Sequence, residues 1–360
     1  MSGQVAIPTL PETVIAVEAG AEASSPRRPL SGPIGPLLPG LMAAAAVAVA
    51  ATGAARYVPV IGAPVLAIVF GLALSSFLPA GEAVRPGLRF TARYVLQGSI
   101  VLLGLGLSLH QVVSIGVGSL PVLVGTLLSA LGMAWLAGRA LRLRPDVTTL
   151  IGVGTAICGA SAIAATDAVI DADETDVSYA VTTIFLFNVA AVVSFPFIGH
   201  VLGLSQHAFG LFAGTAVNDT SSVVAASTVY GHQAASYGVV VKLTRTLAIV
   251  PVSMVLAARS RRRSPAAAGR SAWWRVLPLF LLGFVAAVAL NSAGAVPVHL
   301  HAGLSSAATW MITAALAAIG LSSRLGHIRT AGFRPICLGA ILWATVALTS
   351  LGLQAATGTA

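Results

Sequence analysis

The feature that most constrains this chain is a succession of apolar runs, each long enough to cross a lipid bilayer. A hydrocarbon core about 30 Å thick needs roughly 17–25 helical residues. Runs of that length fall near 37–54, 59–78, 95–112, 118–138, 148–170, 177–202, 207–230, 233–258, 274–292, 304–323 and 334–355. Only 9% of the residues are charged and 57% are hydrophobic. No soluble fold hides that much apolar surface from water. In lipid, each segment must satisfy its own backbone polar groups, and helices do so. The chain is therefore expected to be an all-α membrane protein.

The formal net charge of +9 does not point to nucleic acid, because of where the 20 Lys and Arg residues fall. Eighteen lie in the N-terminal tail or at short connections between apolar runs, as topology signals do. Arg27 and Arg28, then Arg85, Arg89 and Arg93, then Arg139, Arg142 and Arg144 all fall on one side if the chain alternates. So do Arg259 to Arg275 and the group Arg324, Arg329 and Arg334, whereas the opposite side carries only Arg56. The positive-inside rule then places the N-terminus in the cytoplasm and the C-terminus outside. Four regions follow: a disordered cytosolic tail over 1–33, a membrane bundle over 34–258, a basic cytosolic connection over 259–275, and C-terminal transmembrane helices over 276–356. The acidic cluster of Asp171, Asp173, Glu174 and Asp176 reads as a solvated turn. Cys158 and Cys337 lie in apolar stretches and suggest neither a disulfide framework nor a metal cluster.

Segments 5 and 7 differ from the rest. One carries Gly154-Thr155-Ala156-Ile157-Cys158-Gly159-Ala160-Ser161, and the other Gly214-Thr215-Ala216-Val217-Asn218-Asp219-Thr220-Ser221. Gly, Thr, Ala and Ser match at a constant offset of 60 residues, which points to an internal repeat. Both segments are poor in bulky aliphatics at their middles. Paired, Gly-interrupted segments mark the binding site of many transporters, and broken backbone survives in lipid only inside protein or beside a watery cavity. Two geometries fit the charge pattern. Either both segments cross fully and run parallel, or both are re-entrant and enter from opposite sides as an inverted pair. The fold expected is about 9–11 transmembrane helices with two discontinuous or re-entrant segments, arranged as an inverted repeat.

Four ionisable residues lie near or inside apolar runs: Asp167, Asp219, Lys242 and Arg245. Charge at the bilayer centre costs a few kcal/mol or more, so each is a functional candidate. Asp167 is the weakest, being near the end of its segment. Asn218, Asp219, Thr220, Ser221 and Ser222 offer amide, carboxylate and hydroxyl groups within about one helical turn, chemistry suited to a coupling H⁺ or Na⁺. Lys242 and Arg245, spaced i, i+3, share a helix face and could neutralise an oxyanion. The bland alternatives are an ion pair with Asp219 and the gluing of segment 8 to its neighbours. The expected substrate-binding set is Gly154, Thr155, Cys158, Gly159, Ser161, Thr220, Ser221, Ser222, Lys242 and Arg245, with Asn218 and Asp219 coupling the ion. Asn188 and His110 read as packing or interface residues. No metal cluster or nucleophile–base pair lies within the spans, so neither enzymatic activity nor a cofactor is expected.

The stretch Gly152 to Ala165 resembles a bacterial family named for sulfate export, and Leu102 to Leu109, Asp219 to Ala226, Lys242 to Arg245 and Ala315 to Leu321 add to the likeness. The resemblance implies a multi-pass protein of the bacterial inner membrane. It also implies kinship with cation/proton antiporters and bile-acid/sodium symporters, in which discontinuous helices cross near a midplane site. The function expected is a secondary active transporter exporting a small anion such as sulfate or an organic sulfonate, with H⁺ or Na⁺ coupling. The partners are then a small anionic substrate and the lipid bilayer, with no nucleic acid, and a homo-oligomer is compatible with this reading. A cation-coupled importer of an organic acid is the nearest alternative, and a membrane-embedded enzyme a more distant one.

Overall fold

The computed structural model describes residues 36–57, 62–77, 81–252, 254–256, 279–322 and 332–359. The expected tail over 1–33 and basic connection over 259–275 lie outside the described residues, as do Arg324 and Arg329. Helices account for all the regular structure among the described residues. They are α1 (Leu38–Ala55), α2 (Gly62–Phe77), α3 (Arg85–Phe90), α4 (Leu96–Gly104), α5 (Leu109–Ala140), α6 (Pro145–Ala156) and α7 (Ala160–Ile170). After these come α8 (Glu174–Val201), α9 (Gln206–Ala216), α10 (Thr220–Tyr230), α11 (His232–Thr246), α12 (Leu279–Ser292), α13 (His301–Ser322) and α14 (Phe333–Thr357). A π-helical turn over Thr91–Val95 joins α3 to α4 without a break.

Six helices among the described residues are long and apolar enough to cross a membrane: α1, α5, α8, α11 with its continuation to Leu256, α13 and α14. Among the described residues, the helices α2, α7 and α12 are apolar but shorter. One expected boundary is corrected. The run taken as 95–112 is interrupted at 105–108, where Ser108 starts α5. Its hydroxyl accepts from Gln111 N at 3.2 Å, and Gln111 Oε1 accepts from Ser108 N at 2.9 Å. That capping box satisfies two donors at once and fixes the helix start, which apolar content alone did not reveal.

The helices sort into two bundles. The first holds α1, α2, α3–α4, α12 and α13, and the second holds α5 to α11 with α14. In the first, α2 and α13 pack backbone to backbone. A Cβ on Gly320 would sit 2.5 Å from the Ile68 carbonyl oxygen, and one on Gly71 would sit 2.7 Å from that of Ala317. In lipid, helix association depends on this kind of close packing because no hydrophobic gain drives it. Gly320→Leu is expected to destabilise the protein by about 1–3 kcal/mol, as overpacking of a tight contact does. Thermal unfolding in detergent checks this, and an unchanged Tm would remove the contact's importance.

Segments 5 and 7 do not cross. Arg144, just before α6, pairs with Asp173 and with Asp176 Oδ1 (3.0 Å), both beyond the end of α7. A continuous helix over 145–170 would separate those ends by about 39 Å. Segment 5 is therefore a re-entrant hairpin, here hairpin 1 (α6–α7). Hairpin 2 (α9–α10) is closed at its base in the same way. The Tyr230 hydroxyl donates to Leu204 O at 2.5 Å, and the Phe209 and Tyr230 rings stack at 3.8 Å. Since α8, 28 residues or about 42 Å long, lies between them, the hairpins enter from opposite faces. Of the two geometries open to the sequence, the inverted re-entrant pair is the one adopted.

Candidate functional site

The tips of the hairpins meet inside the second bundle. Helix α6 ends at Ala156 and α7 begins at Ala160, and the chain between turns through Ile157 (φ −121°, ψ −88°) and Gly159 (φ +68°, ψ −127°). The left-handed φ at Gly159 is one that side-chain-bearing residues avoid. A Cβ there would stand 3.5 Å from the Asp219 Cβ and 3.7 Å from the Asn218 carbonyl carbon, so the tip of hairpin 1 touches that of hairpin 2. Hairpin 2 breaks over Val217, Asn218 and Asp219, all extended or outside the helices.

Each break leaves carbonyl groups at the end of one half-helix without intrahelical partners. Lys242 and Arg245 on α11 supply the missing donors. Lys242 Nζ donates to Ile157 O at 2.8 Å and Val217 O at 2.9 Å. Arg245 Nε donates to Ala156 O at 2.8 Å, Nη1 to Thr215 O at 2.6 Å and more weakly to Val217 O, and Nη2 to Thr155 O. The pattern follows the repeat: Thr155 and Thr215 share Arg245, and Ile157 and Val217 share Lys242, each pair 60 residues apart. Two cations at two helix C-termini are also favourable against the helix dipoles. Both side chains are fully buried, at 0% and 2% exposure. They reach this depth because α9 and α11 lie very close, with Gly214 where a Cβ would be 2.7 Å from that of Val241.

The half-helix N-termini are treated differently. On α10, Asp219 is the N-cap: Oδ1 accepts from Ser222 N at 2.9 Å and from the Ser221 hydroxyl, and Oδ2 accepts from Ser222 Oγ at 2.5 Å. On α7, the N-cap is Gly159, which brings no side chain, and the Cys158 sulfur one residue earlier accepts from Ala162 N. That leaves the N–H groups of Ala160 and Ser161 to suit an anion, as at other helix N-termini. Ser161, in that turn, is exposed, and Asp219, Thr220 and Ser221 are half-buried.

Of the residues expected at the site, Thr155, Gly159, Asn218, Asp219, Lys242 and Arg245 are brought together at the hairpin crossing, with Ser161, Thr220, Ser221 and Ser222 in the adjoining first turns. Gly154 packs against Ile163 within hairpin 1, and Cys158 is a buried free thiol at its tip. Thr155 takes part through its backbone carbonyl. Asp167 lies away from the crossing, accepting from Ala172 N at 3.1 Å near the hairpin base. The acidic turn is only partly solvated as expected, since Asp176 is 1% exposed and anchors Arg144. Asn188, read as a packing residue, holds the second tip: its Oδ1 accepts from Asn218 N at 3.2 Å. A buried file of Thr215, Ser350 and Gln354 was also missed, with Thr215 Oγ1 and Ser350 Oγ 2.7 Å apart. Ser350 and Gln354 stand four apart in an apolar run, which was the available signal. Among the described residues no group of three or more His, Cys, Asp or Glu could hold a metal ion.

Comparison with known proteins adds the family. The pattern of the family described as conserved hypothetical protein 698 matches residues 39–339. A UPF0324 membrane protein of Streptococcus agalactiae serotype V is 39% identical over 329 residues, covering 89% of this chain and 98% of the relative. UPF0324 membrane proteins of Streptococcus pyogenes serotype M3 and Streptococcus pneumoniae serotype 4 are each 40% identical, over 331 and 327 residues. Both alignments cover 89% of this chain and 97% of the relative. No solved structure matches.

Proposed function

Taking as premise that this chain belongs to the conserved hypothetical protein 698 family, a family of multi-pass membrane proteins, we propose that it is a secondary active transporter of a small anion. One observation carries the reading: two re-entrant hairpins from opposite faces meet tip to tip and share Lys242 and Arg245. Irregular backbone at membrane depth is tolerated only inside protein or beside water, and paired broken segments in inverted repeats are where transporters bind cargo.

Two features favour an anion. The N-cap of α7 is Gly159, without a side chain, so the N–H groups of Ala160 and Ser161 stand beside the Ser161 hydroxyl. The crossing also carries two cationic side chains, Lys242 and Arg245, against the single carboxylate of Asp219. Sulfate or an organic sulfonate suits that donor set, and export from a bacterial inner membrane, with the N-terminus cytoplasmic and the C-terminus outside, suits the arginine distribution. In this reading Lys242 and Arg245 act on the anion through their field, since their donors are engaged by carbonyls. Asp219 and Asn218 couple a proton or Na⁺. The Asn218 Oδ1, buried without a partner, also favours a second reading, a cation-coupled importer of an organic acid.

Purified protein in proteoliposomes tests the proposal. Radiolabelled sulfate or taurine should accumulate saturably above empty liposomes under an imposed H⁺ or Na⁺ gradient. No flux of either compound under either gradient, or under a membrane potential of either sign, would remove the anion reading.

A further inference from the structure

The inverted repeat makes α7 and α10 equivalent helices, yet they have unequal surroundings. Helix α10 is covered, with Ser222 to Ser227 buried. Its Val224 and Ala225 lie in one apolar cluster with Val65 and Ile68 of α2 and Ala308 and Ile312 of α13. Helix α7 packs on α6 and α8 but leaves a face open: Ser161 and Ala168 are exposed, and Ala164, Ala165 and Asp167 half-buried.

That open face does not have the composition of a lipid-facing one. Lipid-facing surfaces elsewhere in this bundle carry large apolar side chains, such as Leu128, Trp135 and Leu136 on α5 and Val193, Phe197 and Val201 on α8. None of the exposed large hydrophobic side chains comes from α7. Lipid would leave the exposed Ser161 hydroxyl unsatisfied at membrane depth, which water does not. The face leads from Ser161 at the tips down to Asp167 and Asp171 at the base of hairpin 1.

The opposite face of the molecule is tied shut between the two bundles. Leu109 N at the start of α5 donates to Ser292 Oγ of α12 at 2.6 Å, and Asn291 Nδ2 donates to Leu107 O at 3.1 Å. Ser305 of α13 lies 3.0 Å from His232 Nδ1 at the start of α11. All three contacts sit at the face from which hairpin 2 enters.

We propose that the structure holds a one-sided state: an aqueous path along α7 opens the hairpin crossing to the hairpin 1 face. The packing of α10 under α2 and α13, with the His232–Ser305 and Leu109–Ser292 contacts as a latch, closes it to the hairpin 2 face. This deepens the transport reading by assigning its access route, but the geometry of the route does not depend on the cargo.

Thiol labelling tests the route separately from flux. Single cysteines are placed at Ser161→Cys, Ala164→Cys and Ala168→Cys on α7, and at the equivalent Ser221→Cys and Val224→Cys on α10, in a Cys337→Ser background. Membrane vesicles of both orientations are treated with a membrane-impermeant trimethylammonium methanethiosulfonate, and the parent with Cys158 alone gives the baseline. The α7 positions should react at least tenfold faster from the hairpin 1 face than from the other, with Val224→Cys at baseline from both. Ser305→Ala combined with Ser292→Ala should raise labelling of Ser221→Cys from the hairpin 2 face several-fold. Two results would overturn the proposal: α7 cysteines that react only with a lipid-soluble maleimide, or equal rates from both faces at all three positions. One-sided labelling without anion flux would keep the path and remove the transport reading instead.

Discussion

Replacing Arg245 with methionine is expected to cost about 3–5 kcal/mol of stability and to abolish any transport. The side chain is 2% exposed and serves carbonyls from both hairpins: Thr155 and Ala156 of the first, Thr215 and Val217 of the second. Hydrogen bonds from a charged donor contribute about 1.5–3 kcal/mol each, and a buried acceptor left without a donor loses its hydration as well. Methionine fills much of the volume, so a cavity contributes little and the loss reports on the clamp itself. Lys242→Met should behave similarly but more mildly, because Lys242 serves only Ile157 and Val217. Arg245→Lys separates charge from geometry. It keeps the cation but loses the planar fork that reaches several carbonyls at once, so it should recover less than half of the lost stability. Thermal unfolding followed by size-exclusion chromatography in detergent reads all three. Wild-type stability in Arg245→Met would mean that the hairpin tips hold together without the clamp.

How much of this could be read from the sequence depends on the range of the interaction concerned. The membrane class rests on composition and run length, local properties that survive any error in a boundary. The two unusual segments were legible from their Gly, Ser and Thr content and their 60-residue repeat, because breaking a helix in lipid takes particular residues; the positions of the breaks were not. The pairing of Lys242 with Arg245 was legible from their i, i+3 spacing, but their partners were not. The sequence offered an anion, Asp219 or the gluing of segment 8 to its neighbours, and the structure does the last through backbone carbonyls, which leave no trace in residue identity. Re-entrance was hidden for a related reason. It is enforced by Arg144 reaching Asp173 and Asp176, about 30 positions later. An acidic turn looks the same in sequence whether it lies one helix away or at the other membrane face. Asn188 was undervalued because a single amide in an apolar helix has no local pattern to set it apart. Only the free Asn218 N–H opposite gives it a task.

Asp219 is where stability and transport should part company. Asp219→Ala removes the cap of α10, freeing Ser222 N and the Ser221 and Ser222 hydroxyls, and it deletes a carboxylate near enough to interact electrostatically with Lys242. Loss of an N-cap costs about 0.5–2 kcal/mol. The charge lost beside the buried Lys242 adds to this, so about 2–4 kcal/mol in total is expected, together with loss of flux. Asp219→Asn keeps an oxygen that can accept from Ser222 N, and asparagine caps helices as well as aspartate does. Its stability should therefore fall by no more than about 1 kcal/mol. The carboxylate is gone, however, and with it the group that could exchange a proton or Na⁺. Flux in this variant should lose its dependence on the driving gradient, leaving only downhill exchange of the anion. The two substitutions thus test different ideas with one pair of proteins. If Asp219→Asn unfolds as readily as Asp219→Ala, the carboxylate serves chiefly to balance Lys242. If it stays folded and still concentrates the anion against a gradient, coupling lies elsewhere in the crossing. Asn218, whose buried Oδ1 lacks a partner, is then the next residue to replace.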